Sequence, residues 1–509
     1  MLKHCIEALF LSNIIRPRIF SRSFLFNNAD ITKKFIPLHT KIFHDMDQTT
    51  DIVVIGAGIT GLTTSHYLYK SGKKFIVLDE KETFGGVISS VSDDGFVYET
   101  GPNTGVLSSI EAVNLFSQLD GKTACGNAKY SLETAGSLAK KRYILKDGKF
   151  CALPSGLIGG ISTKLFTFKD KLRLLGEPFR KRGTNPDETL AEFVVRRMGK
   201  SFLDYAINPF VSGVYGGDPT GLVPKYAFPK LYNLEQKYGS LIGGSIKKHR
   251  EPKPEGSQKV TRATFSAKGG LNNLTAAIFN EVGSEKFIFS AQKVNVQKVD
   301  GGFKIKYFKN GEQQTLNCKV VINTAGAFAF SNLFPFVGED EKNAIAKLKY
   351  AGVAECAIGF KKYNGLPLDG FGGLVPQVEN RRILGILYMS TLFENRAPKD
   401  GALITIFMGG VRHPEMLSLS DFELKQIAAE EVGNILQIKD FEPDLFKVHR
   451  HKNAIPQYAA DSRQRFEAIE KIEKQFPGLL IGGNMVGGIG MSDRIKQGTH
   501  LAEKASLLV

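Results

Sequence analysis

The clearest chemical signal in the chain is a set of glycines followed by one acid. Gly56, Gly58 and Gly61 lie in DIVVIGAGITG, directly after the apolar run Ile52 to Ile55, and Asp79 closes a second apolar run, Phe75 to Leu78. A strand that enters a G-x-G-x-x-G turn and then a helix turns backbone N–H groups toward a pyrophosphate. The first glycine makes the turn, the second admits the phosphate, and the third lets helix and strand close on each other. A carboxylate about 20 residues further on reaches a ribose hydroxyl. The spacing predicts a helix from Leu62 to about Ser71, ended at Gly72 by a left-handed cap. Strand, turn, helix, strand and acid in this order favour dinucleotide binding over a structural glycine turn.

Three further stretches carry backbone-based chemistry. Gly85 and Gly86 form a second glycine pair just beyond Asp79. In GFVYETGPNTG, Gly101 and Pro102 bend the backbone where it can meet a planar ring, or simply turn. From Leu479 to Leu501, LLIGGNMVGGIGMSDRIKQGTHL reads as strand, glycine-rich loop and a helix starting near Ser492 or Asp493, with Gly483, Asn484, Gly488, Ile489 and Gly490 in the loop. Free N–H groups at such a helix start would stabilise negative charge on a bound cofactor. No His-Asp-Ser constellation accompanies them. Cysteines 5, 125, 151, 318 and 356 are scattered, and His449 and His451 have no Cys or third His nearby, so no disulfide framework and no metal site is expected.

These groups need a large scaffold. At 509 residues with 42% hydrophobic side chains the chain holds two or three lobes. The fold class is α/β: a Rossmann-like cofactor domain written in three pieces, 47–115, 264–335 and 477–509. An antiparallel-sheet substrate domain occupies 336–476. Residues 116–263 form a region expected to be largely helical between 120 and 250. Within it Leu157 to Gly176 mixes Leu, Ile and Phe with Lys and Arg, which suits either a membrane interface or a core helix with a basic outer face. Residues 245 to 262, rich in Lys, Pro and Gly, read as an exposed loop. A hairpin is expected around Val294 to Val299 and Phe303 to Phe308, with a turn at Asn310-Gly311.

Residues 1–46 stand ahead of the fold. Lys3, Arg16, Arg18 and Arg22 against Glu7 fit a mitochondrial transit peptide; Met46, close to the first strand, is the alternative start and the one favoured here. No apolar run is long enough to span a bilayer. The formal charge of +16 suits an anionic membrane surface, an acidic substrate or a solvated basic face, and no nucleic-acid module accompanies it.

The Gly85-Gly86 pair after the acid resembles the FAD-binding amine oxidase superfamily, although Thr83 stands where that family usually has an arginine touching the FAD phosphates. EFVVRRMG (192–199), NPFVSGVYGGDP (208–219), AFPKLYNLEQKYGSLIGG (227–244), AIPQY (454–458), the GG-L-x-x-L match at 269–274 and the final GGNMVGGIG resemble the protoporphyrinogen oxidase family, over essentially everything from Asp51 onward. The resemblance implies non-covalently bound FAD and a porphyrinogen substrate. It implies that Arg142 of KKRYILKDG grips a propionate, whereas the residues alone read as a surface cation run. Leu374, Leu387 and Phe407, core residues on their own showing, would sandwich the macrocycle. The backbone of Gly213 would face the reacting region, and that of Val294 would read the adenine. Ala459, Ala460 and Asp461 replace a Gly-His pair that many relatives carry.

The implied chemistry is hydride transfer from a meso carbon, with oxygen or another acceptor taking the electrons and no obligatory side-chain acid or base. Alternatives are a coproporphyrinogen III oxidase of the same flavoprotein type, a flavin amine oxidase, or an escort of prenylated GTPases that does no chemistry. Peripheral contact with the inner face of a bacterial cell membrane is expected, or with the mitochondrial inner membrane if residues 1–45 are a transit peptide; a homodimer is the partner state considered.

Overall fold

The computed structural model describes residues 48–154, 159–160, 162–252 and 256–509. The N-terminal extension, residues 157, 158 and 161 of the basic apolar stretch, and residues 253–255 of the Lys/Pro loop lie outside these.

A five-stranded parallel sheet forms the centre, in the order Phe287–Ile288, Phe75–Leu78, Ile52–Ile55, Val320–Asn323, Leu479–Ile481. The runs IVVI, VVIN and LLI are fully buried, as strands covered on both faces must be. Helices Ile59–Lys70, Asn272–Val282 and Met491–Ser506 share one core with this sheet. On the other face a meander of Gln292–Val299, Gly302–Lys309 and Glu312–Cys318 completes a second core. Its Asn310-Gly311 turn has φ of 54° and 84°, the doubly left-handed geometry that a tight hairpin requires.

The first helix starts at Ile59, three residues earlier than the spacing predicts. Gly58 is already its extended N-cap, so the tight turn is complete within Gly56 to Gly58. Gly72 follows the helix with φ +65°, the left-handed stop expected there.

A seven-stranded sheet lies beside the parallel one. Its order is Leu445–Pro456, Tyr350–Phe360, Ala402–Gly409, Gly385–Leu387, Gly372–Leu374, Tyr143–Lys146, Lys149–Ala152. All pairs are antiparallel except Gly372–Leu374 with Tyr143–Lys146. Helix Asp421–Leu436 covers one face through Leu424, Ile427, Ala428, Val432 and Ile435. The last two strands correct the largely helical expectation for 120–250, as does Leu132–Thr134. Their cause is visible in KDGK: Asp147 and Gly148 both take positive φ, 51° and 73°, and fold the chain into a hairpin.

The helices that follow, Leu190–Arg197, Asn208–Tyr215, Pro229–Tyr238 and Leu241–Arg250, gather around a buried ion pair. Arg197 and Glu177 are both fully buried. The guanidinium also donates to the carbonyls of Arg180 (2.8 Å) and Gly239 (2.9 Å). Glu177 accepts from Ser240 Oγ (2.6 Å) and from the N–H groups of Leu241 (2.9 Å) and Ile242 (3.1 Å), and so caps the last helix from a distant part of the chain. Removing one partner of such a pair strands a buried charge. Arg197→Ala is expected to destabilise this region by about 3–5 kcal/mol, measured as a lower urea midpoint of the far-ultraviolet circular dichroism signal.

Candidate active site

Gly56 and Gly61 of the first turn are required by contact. A Cβ on Gly61 would overlap the carbonyl oxygen of Gly56, and one on Gly86 would come within 3.0 Å of the Gly58 Cα. Gly85 donates its N–H to the Ala57 carbonyl (2.9 Å), and Gly58 and Gly85 form a parallel bridge, so the second glycine pair closes against the first turn. Asp79 accepts from the N–H groups of Ala57 (2.6 Å) and Lys81 (2.8 Å). The acid expected to hold a ribose therefore also ties the turn to the end of its strand. Thr83 is exposed, and the cation at this place is Lys81, whose ammonium donates to the Gly86 carbonyl at 2.7 Å. Val294 lies just beyond Ala291, whose N–H bonds the Asp79 carbonyl at 2.9 Å.

Two more backbone turns approach at the C-terminal ends of the parallel strands. Gly483, with φ +81°, has room for no Cβ against the carbonyl of Thr324, and the Thr324 hydroxyl donates to the Ile55 carbonyl at 2.8 Å. Asn484 accepts from the hydroxyls of Tyr350 (2.9 Å, side chain) and Tyr458 (2.8 Å, carbonyl). Arg465, fully buried, donates to the Met485 carbonyl (3.0 Å), and Arg494 donates to those of Gly483 and Val486. The final helix begins at Met491, earlier than expected. The N–H of Gly490 is taken by Asp493 at 3.1 Å, and Gly488 is bare because the same carboxylate lies where a Cβ would be. Ile489 is half-buried and packs against the second core. These bare backbones, open at the carboxyl ends of parallel strands, fit a dinucleotide.

The seven-stranded sheet sets out a second array. One rung crosses it through Ile144, Leu374, Gly385, Phe407, Glu355 and His449. The next rung, Gly373, Ile386, Ile406 and Cys356, turns to the opposite face, and the one after it, back on the first face, carries Gly372, Leu387, Thr405 and Ala357. Residues opposed in a rung share a face, so Leu374, Leu387 and Phe407, all half-buried, look the same way. Helix Asn208–Tyr215 comes over this face, with Gly213 seated so closely on Leu374 that a Cβ would overlap its side chain. Arg142 immediately precedes strand Tyr143–Lys146 and lies 4.5 Å over the Phe371 ring, which packs in one core with Leu387. No carboxylate among the described residues pairs with Arg142, and burial lowers its pKa.

One short turn joins the two arrays. A Cβ on Gly101 would overlap the Val87 carbonyl next to the glycine pair, while half-buried Pro102 leads into Asn103. Asn103 Nδ2 donates to the Gly101 carbonyl (3.0 Å) and to Glu355 Oε1 (2.6 Å). Glu355 is 2% exposed. Burial pushes its pKa up to about 8, opposed by the Asn103 hydrogen bond and reinforced by Glu99. His451 shares a 2.7 Å hydrogen bond with the Thr100 carbonyl, and His449 lies against the Tyr98 ring. Among the described residues no group of three or more His, Cys, Asp or Glu is placed to hold a metal.

Glu355 and Asn103 were not singled out by sequence reasoning. The available signal was one acid in the otherwise apolar strand AGVAECAIGF, and an Asn two residues after a Gly flagged for the cofactor face.

A family model described as "Flavin containing amine oxidoreductase" matches residues 59–504. The mitochondrial protoporphyrinogen oxidase of Nicotiana tabacum is 30% identical over 487 residues, 89% of this chain and 94% of that one. The coproporphyrinogen III oxidase of Bacillus subtilis (strain 168) is 28% identical over 479 residues, 89% of this chain and 97% of that one. A crystal structure from Exiguobacterium sp. 255-15 shares the fold with a TM-score of 0.74 at 20% identity, over 91% of this chain and 99% of that one. Gly61→Ala, which forces the first turn open, is expected to weaken flavin retention by at least about tenfold, or about 1.4 kcal/mol, read as visible flavin absorbance per protein after gel filtration.

Proposed function

Because the chain belongs to the flavin containing amine oxidoreductase family, we propose that it oxidises protoporphyrinogen IX to protoporphyrin IX with non-covalently bound FAD. The observation that carries this reading is Arg142, a half-buried cation without a carboxylate partner among the described residues, beside the Leu374, Leu387 and Phe407 face. A porphyrinogen is an apolar disc with carboxylates at its edge. It suits two leucines and a phenylalanine for the disc and a planar guanidinium for the edge.

The cofactor role goes to Gly56, Gly58, Gly61, Gly85 and Gly86 for the pyrophosphate, Asp79 for the ribose, and Val294 for the adenine. Gly101, Pro102, Gly483, Asn484, Gly488, Ile489 and Gly490 line the flavin end. FAD supplies acceptance of hydride from the substrate, with oxygen as final acceptor and hydrogen peroxide as product. The C-terminal glycine loop has no cysteine to anchor it covalently. The protein's own part is to orient the disc, hold its anion and keep water from the face.

Coproporphyrinogen III is the second reading, supported by the Bacillus subtilis relative. It carries four carboxylates where protoporphyrinogen carries two, and Arg142, which pairs with no carboxylate among the described residues, is one cation for that edge and favours the fewer.

Peripheral membrane contact is part of the proposal. Helix Phe168–Leu175 and the turn after it leave Phe168 (76%), Leu172 (52%), Leu175 (55%) and Phe179 (90%) exposed among Lys169, Lys171 and Arg173. Apolar side chains of this size with basic neighbours suit an anionic headgroup layer. No helix among the described residues is long and apolar enough to cross a membrane.

Porphyrin fluorescence is expected to rise faster with protoporphyrinogen IX than with coproporphyrinogen III in air; the reverse order moves the assignment to the second substrate, and silence with both sinks it. Arg142→Ala is expected to raise KM by roughly tenfold to a hundredfold, the loss of a charge-assisted hydrogen bond, with a smaller change in kcat. Changing Phe168 and Phe179 to Ser together should abolish pelleting with phosphatidylserine vesicles at low salt; unchanged pelleting would remove this helix from the proposed contact.

A further inference from the structure

Glu355 lies in the rung that carries Leu374 and Phe407, directly opposite Phe407 on one side and His449 on the other. A buried acid in the middle of an apolar clamp is costly unless it has a task or a full set of partners. Glu355 Oε1 accepts from Asn103 Nδ2 at 2.6 Å. The orientation of that amide is dictated by the Gly101 carbonyl, which needs a donor. Asn103 Oδ1 is left buried without a partner among the described residues, in a residue only 5% exposed, and so is His449 Nε2. The two orphaned atoms belong to neighbours of the acid: Asn103, which donates to it, and His449, its partner across the sheet. An N–H donor from a ligand would satisfy Asn103 Oδ1 and would arrive beside the Glu355 carboxyl.

We propose that Glu355 is the proton acceptor of the oxidation, taking from the macrocycle the pyrrole N–H proton that is shed as hydride leaves the neighbouring meso carbon. The inference rests on the porphyrinogen reading. The N–H bond breaks and its electron pair completes a carbon–nitrogen double bond. The meso C–H bond breaks, and its hydrogen and electron pair pass to the flavin. An O–H bond forms on Glu355. The substrate loses two electrons and the flavin gains them. The charged and titratable groups around the acid are Glu99, itself paired with buried Arg396 at 3.1 Å, and His449 with its neighbour His451. Glu99 opposes ionisation of Glu355, and no cation bonds to Glu355 among the described residues. Burial, reinforced by Glu99, thus raises the carboxyl toward the operating range of a general base.

A purely structural Glu355 would serve as an acceptor for Asn103, and glutamine would do that equally well. Glu355→Gln keeps the volume and the hydrogen bond and removes only the proton chemistry. It is expected to lower kcat by about a hundredfold to ten-thousandfold and to abolish a wild-type limb in which kcat rises with pH near 8. The flavin-loaded protein without substrate gives an independent readout. Wild type should show a carboxylic-acid carbonyl stretch in the infrared at neutral pH that fades above pH 8, and Glu355→Gln should lack it. Wild-type protein that oxidises a porphyrinogen while Glu355→Gln keeps its rate and pH profile overturns the proposal alone. So does a wild-type spectrum without that band at neutral pH, even if the variant fails to fold. Wild type inactive on both porphyrinogens overturns the substrate reading and this inference together.

Discussion

The structure depends on one close approach of bare backbone. Gly61 passes under the Gly56 carbonyl and Gly483 faces Thr324 at separations that leave no room for a β-carbon, and one on Gly86 would come within 3.0 Å of Gly58. Four stretches meet there because the strands before them, Phe75–Leu78, Ile52–Ile55, Val320–Asn323 and Leu479–Ile481, are successive neighbours in one parallel sheet. The apolar runs fix which strands pair, and the glycines fix how near their outgoing turns can come. The surrounding side chains serve that geometry. Asp79 ties the first turn to its strand, while Arg494 and Arg465 hold carbonyls of the last loop from behind.

The seven-stranded sheet works by a different rule. Its useful residues come from strands scattered over 143–456, and what unites them is register. Leu374, Phe407 and Glu355 stand in one rung, with Leu387 two rungs along on the same face, so a flat apolar face arises from ordinary cross-strand alternation. Arg142 is added at the margin by a short hairpin whose strand joins the sheet in parallel. A charge desolvated at the margin of such a face gains most from an anion brought to it.

Much of the parallel sheet was legible from local pattern. Uninterrupted apolar runs, G-x-G-x-x-G and Asn310-Gly311 each state a local geometry that the rest of the chain does not overrule. The Tyr143–Ala152 hairpin was missed although Asp147-Gly148 announces it, because its strands, YILK and KFCA, are four residues each and too short to show a period. The helix starts at Ile59 and Met491 fell outside their expected positions because glycine can act as an N-cap while showing no side chain to mark it. Nothing local marks Glu355 as a member of the clamp, since its neighbours there, Phe407 and His449, are brought by pairing across the sheet. Arg142, Leu374, Leu387 and Phe407 could be singled out only through family resemblance, for the same reason.

The Asn103 amide links the Gly101 turn, packed on the glycine cradle, to the acid in the sheet. Its Nδ2 holds both ends at once, 3.0 Å from the Gly101 carbonyl and 2.6 Å from Glu355. Two binding faces that shared this one contact would be thermodynamically reciprocal. Whatever free energy an occupant of the sheet face spends in displacing that amide changes the affinity of the cradle for its own occupant by the same factor, and the reverse holds equally.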